Sequence, residues 1–114
     1  MLEHDKRPWG EYWVLDEQPT HKVKRILVNP NQRLSYQYHN HREETWIITD
    51  GIATVTLNDE TFIVHKGKTI FIPKLSKHRV ANQTQDPLVF IEIQQGTSFD
   101  ENDIIRIEDD YIRC

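Results

Sequence analysis

The chain has 114 residues, and 14 Lys and Arg against 18 Asp and Glu give it a formal net charge of −4. This length suits one domain with a modest core, so residues 1–114 are predicted to form a single domain. A mildly acidic domain is a poor candidate for broad nucleic-acid binding. Cys114 is the only cysteine, which excludes an intrachain disulfide and fits a reducing cytoplasm. A charged start and the absence of a long apolar run argue against a signal peptide or a membrane partner.

Short stretches of alternating apolar and polar residues follow one another along the chain, separated by turn residues. In chain order they are EYWVL, KVKRILV, TWIITD, IATVTLN, TFIVH, TIFIP and LVFIEIQ. This period of two with frequent turns predicts an antiparallel all-β domain. Asp50-Gly51 and Asn58-Asp59 are predicted to be hairpin loops. A sandwich, a small barrel and a jelly roll all remain compatible with this pattern.

The acidic C-terminal segment carries an apolar side, which is expected to dock on the rest of the domain. Its Ile104, Ile105, Ile107 and Tyr111 supply that side. The part from Glu101 to Ile107 fits a short helix or a final strand, and the pattern leaves both open.

Four polar residues form the candidate functional set. Gln37, His39 and Glu44 have the spacing Gln-x-His-x4-Glu, and His78 follows near a later predicted strand. Residues two apart on a strand share a side, and a hairpin would return Glu44 beside the first pair. Nitrogen and oxygen donors without a thiolate suit a divalent transition metal in an open site.

The spacing of these residues resembles the two sequence motifs of the cupin superfamily. The first motif, Gly-x5-His-x-His-x4-Glu-x6-Gly, maps to Asn31, Gln37, His39, Glu44 and Gly51. The second, Gly-x5-Pro-x-Gly-x2-His-x3-Asn, maps to Gly67, Pro73, Leu75, His78 and Asn82. Asn31, Gln37 and Leu75 depart from the motifs. Asn tolerates a positive φ, whereas Leu75 is expected to alter the turn before His78.

The glutamine narrows the resemblance within the superfamily. Four segments of the chain, in this order, are similar to the type II mannose-6-phosphate isomerase cupin: RPWGEYWVL, RLSYQYHNHREETWIITDG, FIPKLSKHRVAN and DENDIIRIEDDYIR. The resemblance implies a small double-stranded β-helix (jelly-roll) barrel, a homodimer, and isomerisation of mannose 6-phosphate to fructose 6-phosphate. It implies a metal, expected to be zinc, on Gln37, His39, Glu44 and His78. An initiating Met favours a free-standing cupin.

The remaining catalytic groups are less constrained by the sequence. Strand alternation can turn Lys24 and Glu92 inward, so both are candidate bases, and Arg106 is a further catalytic candidate. The resemblance favours Arg42, Arg106 and Arg113 for the substrate phosphate, with Lys24, Arg33 and Arg79 as weaker candidates. Pairing of Arg106 and Arg113 with nearby carboxylates is an equal alternative.

Several features keep other functions open. His41 is a reserve ligand, because it would share a strand face with His39. Thr45 and Ile112 stand where the family has His and Gly, and either change could reshape the sugar pocket. A cupin that binds metal or sugar without turnover, and a cupin oxygenase, are the alternatives to an isomerase.

Overall fold

The structure is a computed structural model that describes residues 2–100 and 102–111. Its strands are β1 (His4–Arg7), β2 (Gly10–Gln18), β3 (His21–Val28), β4 (Tyr36–Tyr38), β5 (Arg42–Asp50), β6 (Ile52–Leu57), β7 (Glu60–His65), β8 (Thr69–Ile72), β9 (His78–Ala81), β10 (Leu88–Gly96) and β11 (Ile105–Glu108). The described residues contain no helix, and therefore none that could cross a membrane. The all-β prediction is confirmed, and the C-terminal segment forms a strand.

The strands form two antiparallel sheets with the core between them. One sheet has the order β1-β2-β3-β10-β5-β8, and the other has the order β11-β4-β9-β6-β7. Strand β3 shows how the sequence builds this arrangement, because Lys22, Lys24, Ile26 and Val28 are buried while their neighbours are partly exposed. Val28, Ile48, Val55, Leu88 and Phe90 are among the most buried core side chains. The predicted jelly-roll, double-stranded β-helix architecture is confirmed.

The two predicted hairpin loops have different outcomes. Asn58 and Asp59 join β6 to β7, and their φ values of 48° and 70° are those of a tight hairpin turn. The hairpin predicted at Asp50-Gly51 is wrong, because β5 and β6 belong to different sheets. Gly51 has a φ of 79°, and a Cβ there would lie 2.5 Å from the carbonyl oxygen of Pro87. The chain therefore crosses between the sheets at a corner where only glycine fits.

Two motif positions that lack glycine still adopt the glycine conformation. The φ of Asn31 is 62° and that of Leu75 is 70°. Asn accepts this region readily, whereas a branched apolar side chain is strained there. The turn before β9 is therefore retained despite Leu75, and His78 begins that strand as predicted.

Candidate functional site

Three of the four predicted donors meet in the interior of the barrel. His39, Glu44 and His78 are all buried, and one ligand atom from each lies within 4.8 Å of the others. The predicted hairpin between β4 and β5 is wrong, because these strands belong to opposite sheets. His39 follows β4, Glu44 lies in β5, and the two residues face each other across the barrel. Packing of the sheets therefore assembles the cluster.

Backbone carbonyl groups orient both imidazole rings. His39 Nδ1 donates to the carbonyl oxygen of Asp103 at 2.6 Å, and His78 Nδ1 donates to that of Ser76 at 3.0 Å. With Nδ1 as the donor, each Nε2 presents a lone pair toward the cluster. His78 Nε2 is buried and has no hydrogen-bond partner among the described residues. An unpartnered buried nitrogen beside a carboxylate is what a metal site requires.

Burial keeps both rings in the neutral form that ligands need. Burial, followed by the positive charge of Arg42, lowers the pKa of His39 to about 4. Burial also lowers the pKa of His78. Both imidazoles are therefore uncharged at neutral pH, and the Nε2 atom of each carries a lone pair rather than a proton.

The carboxylate of Glu44 is held on both oxygens. Trp46 Nε1 donates to Oε1 at 2.9 Å, and Arg42 Nε donates to Oε2 at 3.0 Å. Arg42 Nη2 also donates to His39 Nε2 at 3.2 Å. Alternation along β5 buries Arg42, Glu44 and Trp46 on one face.

Gln37 lies beside this cluster. It pairs directly with His78 in the ladder between β4 and β9, and its Oε1 accepts a hydrogen bond from Ser35 Oγ at 3.1 Å. The carboxylate and the two neutral imidazoles fit a divalent transition metal, and the amide oxygen of Gln37 is of a type that could join them.

A cavity of about 100 Å³ adjoins the donors. Gln37 and Arg42 line it from the donor side, and Lys24, Glu92 and Arg106 also line it. The N-terminal hairpin contributes Arg7, Trp9 and Tyr12 to the same wall. Four basic groups and one carboxyl group therefore surround a cavity that suits a small anion.

Glu92 is buried directly opposite Lys24 in the ladder between β10 and β3. Burial, followed by the charge of Glu44, raises the pKa of the Glu92 carboxyl group to about 8. Gln94 Nε2 donates to Glu92 Oε2 at 3.2 Å. Lys24 Nζ lies 4.4 Å from the centre of the Tyr12 ring, a cation–π distance. Glu92 therefore holds a proton at neutral pH beside the cavity.

Other candidate residues lie away from this site. His41 is exposed and is not part of the donor cluster. Arg33 binds Asp110 in an ion pair of 2.6 Å, and Arg79 contacts Leu34 and Glu108. Arg113, like Ile112, is outside the described residues.

Thr45 lies on the outer face of the barrel. It pairs with Ile93 and Phe71, and both of these side chains are exposed. Directly paired residues share a sheet face. Substitution of histidine by threonine at this position therefore leaves the cavity lining unchanged.

Sequence reasoning missed the contribution of the N-terminal hairpin. Arg7 Nη2 lies 3.5 Å from Tyr12 Oη, and its guanidinium group lies 5.5 Å from the centre of the Tyr12 ring. The signal that could have found them is RPWGEYWVL, one of the segments that carry the family resemblance. Asp103, whose carbonyl oxygen accepts from His39, lies in DENDIIRIEDDYIR, another of these segments, but nothing in its spacing singled it out.

The family model described as "Mannose-6-phosphate isomerase C-terminal" matches residues 2–109. The alginate biosynthesis protein AlgA of Pseudomonas aeruginosa is 46% identical over 94% of this chain, which spans 22% of AlgA. The mannose-1-phosphate guanylyltransferase ManC of Salmonella typhimurium is 40% identical over 94% of this chain, which spans 22% of ManC. The xanthan biosynthesis protein XanB of Xanthomonas campestris is 43% identical over 94%, which spans 23% of XanB. The chain therefore spans less than a quarter of these relatives.

Solved structures with low sequence identity share the fold. The capsular polysaccharide assembling protein CapF of Staphylococcus aureus has a TM-score of 0.81 at 18% identity, covering 95% of this chain and 34% of CapF. A double-stranded β-helix protein of Klebsiella pneumoniae has a TM-score of 0.74 at 18% identity, covering 84% of this chain and 77% of that protein. These similarities support the double-stranded β-helix fold.

The prediction of an enzyme that interconverts mannose 6-phosphate and fructose 6-phosphate is wrong. The matching relatives are named as a guanylyltransferase and as alginate and xanthan biosynthesis proteins, and this chain corresponds to one part of each. The comparisons support similarity to the C-terminal domain that the family model describes, and this domain is one part of each longer relative.

Proposed function

Since the chain belongs to the mannose-6-phosphate isomerase C-terminal family, we propose that it binds a divalent metal ion, zinc, and a small phosphorylated sugar beside it. The observation that carries this proposal is the buried convergence of His39, Glu44 and His78 next to a cationic cavity. The proposed biological context is mannose metabolism for polysaccharide synthesis, because one longer relative is named as a mannose-1-phosphate guanylyltransferase and two are named for alginate and xanthan biosynthesis.

The proposed metal ligands are Gln37, His39, Glu44 and His78. Two neutral imidazoles with fixed Nε2 lone pairs support this set, as does the unpartnered Nε2 of His78. A bound ion in such an open site would polarise a carbonyl or hydroxyl oxygen of the sugar.

The proposed phosphate contacts are Arg42 and Arg106, with Arg7 and Lys24 in support. Four cations around one small cavity favour a dianion over a neutral sugar. Guanidinium groups match phosphate oxygens in pairs, which favours a phosphate monoester over a simple carboxylate. Arg113 remains a candidate outside the described residues.

Glu92 supports a proton-transfer role for the domain. Its protonated carboxyl group, with a pKa of about 8, suits a donor at neutral pH. Lys24 lies directly opposite Glu92 in the ladder, and its positive charge would attract a bound phosphate. Glu92 and Lys24 therefore supply complementary groups on one wall of the cavity.

Metal and ligand titrations test the proposal together. Wild-type protein is expected to bind one zinc ion tightly, and His78→Ala is expected to lose affinity at least about 10-fold. His65→Ala is the matched control, since His65 is exposed on β7 and outside the donor cluster. With zinc present, calorimetry is expected to detect hexose monophosphates and not the free hexoses. Absence of zinc binding by folded wild-type protein would refute the proposal.

We also propose a homodimer formed through the outer face of the six-stranded sheet. Ile47, Phe71 and Ile93 are exposed on neighbouring strands of that face. Arg25 and Glu43 lie at opposite corners of this apolar area, so a two-fold axis between them would pair unlike charges. The cytoplasmic location predicted from the single cysteine remains a prediction.

A further inference from the structure

The guanidinium group of Arg42 lies among the donor atoms proposed for the metal ion. Its Nε donates to Glu44 Oε2 at 3.0 Å, and its Nη2 donates to His39 Nε2 at 3.2 Å. These two acceptor atoms are themselves 3.3 Å apart. The guanidinium group therefore uses the lone pairs that metal coordination would need.

Burial explains why a cation occupies this position. The side chain of Glu44 is 2% exposed, and a buried carboxylate without a counter-charge is strongly destabilising. Arg42 supplies that charge from the same face of β5. A divalent ion on His39 and Glu44 would compete for the same lone pairs and would repel the guanidinium group. The ion and the guanidinium group cannot both use His39 Nε2, because this atom has a single lone pair.

We propose that the Arg42 side chain occupies the metal site when no ion is bound. When a divalent ion binds, this side chain leaves His39 and Glu44 and turns into the cavity. This inference rests on the proposed function, because it requires His39 and Glu44 to be metal ligands. Arg42 already lines the cavity together with Lys24 and Arg106. Its released N–H groups suit two oxygens of one phosphate.

A coupling between two ligands follows from this displacement. The ion favours the arrangement in which Arg42 faces the cavity, and an oxyanion in the cavity favours the same arrangement. Each ligand then raises the affinity for the other by the same factor. An Arg42 that only supports Glu44 would instead stay in place and would make metal binding stronger.

Zinc titration of Arg42→Met tests the displacement, because methionine removes the competing cation and keeps an unbranched apolar stem. Zinc affinity, measured by competition with a chromogenic chelator, is expected to rise about 10-fold. Arg79→Met is the matched control, since Arg79 is also buried but contacts Leu34 and Glu108. Equal or weaker zinc binding by folded Arg42→Met would overturn the inference. Zinc binding by neither protein would instead refute the proposed function.

Thermal unfolding gives a readout that does not depend on the chelator. Metal-free Arg42→Met is expected to melt below wild type, because Glu44 has lost its counter-charge. Zinc is expected to raise its melting temperature more than that of wild type. If Arg42→Met does not fold, Arg42→Lys keeps the positive charge and removes the planar guanidinium group. This variant is expected to bind zinc about 3-fold more tightly than wild type. No increase with lysine would then overturn the inference.

Sulfate tests the coupling, because it has the shape and charge of a phosphate dianion and does not precipitate zinc. Zinc affinity of wild type is expected to rise about 5-fold in sulfate relative to chloride at equal ionic strength. The increase is expected to disappear in Arg42→Met and to persist in Arg79→Met. A wild-type zinc affinity that is the same in both salts would overturn the coupling.

Discussion

Replacement of Leu75 by glycine is expected to stabilise this protein. Leu75 is the third residue of the turn from Pro73 to Ser76, which the Ser76 N–H closes onto the Pro73 carbonyl oxygen at 3.2 Å. Its φ of 70° lies where a side chain is disfavoured by roughly 1–2 kcal/mol. Glycine removes this strain but loses about 0.5–1 kcal/mol of chain entropy. Little burial is lost, because Leu75 is 59% exposed.

The difference predicts a net gain of about 0.5–1 kcal/mol, or a melting temperature roughly 2–6 °C higher. Differential scanning calorimetry of metal-free protein measures it. Lys74→Gly is the matched control, because Lys74 is the adjacent exposed turn residue and its φ is not positive. This control incurs the entropy loss without relief of strain, so it is expected to melt below wild type. If Leu75→Gly melts as low as Lys74→Gly, the strain argument is refuted.

Three further predictions concern pH, packing and assembly. The Glu92 pKa of about 8 exceeds its ordinary value of 4.5, so the folded chain keeps a proton that the unfolded chain releases in between. The stability of the fold that depends on the protonated carboxyl group is therefore lost as the pH rises from 4.5 to 8. In chelator-treated protein, the melting temperature of Glu92→Gln should therefore rise relative to that of wild type between pH 4.5 and 8. A difference that stays constant over this range would contradict the raised pKa of Glu92. Ile48→Ala is expected to lower the free energy of unfolding, measured with urea, by about 2–5 kcal/mol. Ile63→Ala, at an exposed position of β7, should lower it by under about 1 kcal/mol. Equal losses in the two variants would place Ile48 outside the core. Ile93→Glu should convert the proposed dimer to monomers in sedimentation velocity, and a wild type that is monomeric at high concentration would exclude the dimer.

The donor cluster was predictable because its residues match the spacing of the two motifs that the chain resembles. Motif spacing selected His39, Glu44 and His78, and the structure brings these three together. Strand alternation likewise predicted that Lys24 and Glu92 face inward, since a period of two depends only on the strand itself.

The features that sequence reasoning missed depend on which distant segments meet. A turn signal such as Asp50-Gly51 marks a change of direction, but it does not specify whether the next strand pairs with the previous one or joins the opposite sheet. The approach of Arg7 and Tyr12 to the cavity depends on where the N-terminal hairpin packs. The contact of Arg42 with His39 depends on a side-chain conformation that spacing does not encode.

The division of the donors between two sheets has a consequence for folding. Glu44 comes from the six-stranded sheet, whereas His39 follows β4 and His78 begins β9 of the other sheet. The complete donor set therefore exists only after the two sheets have docked. A divalent ion that binds there cross-links the two layers and slows their separation. Amide hydrogen exchange in β5 and β9 should then slow together when the metal binds. Metal binding would therefore indicate that the two sheets have docked.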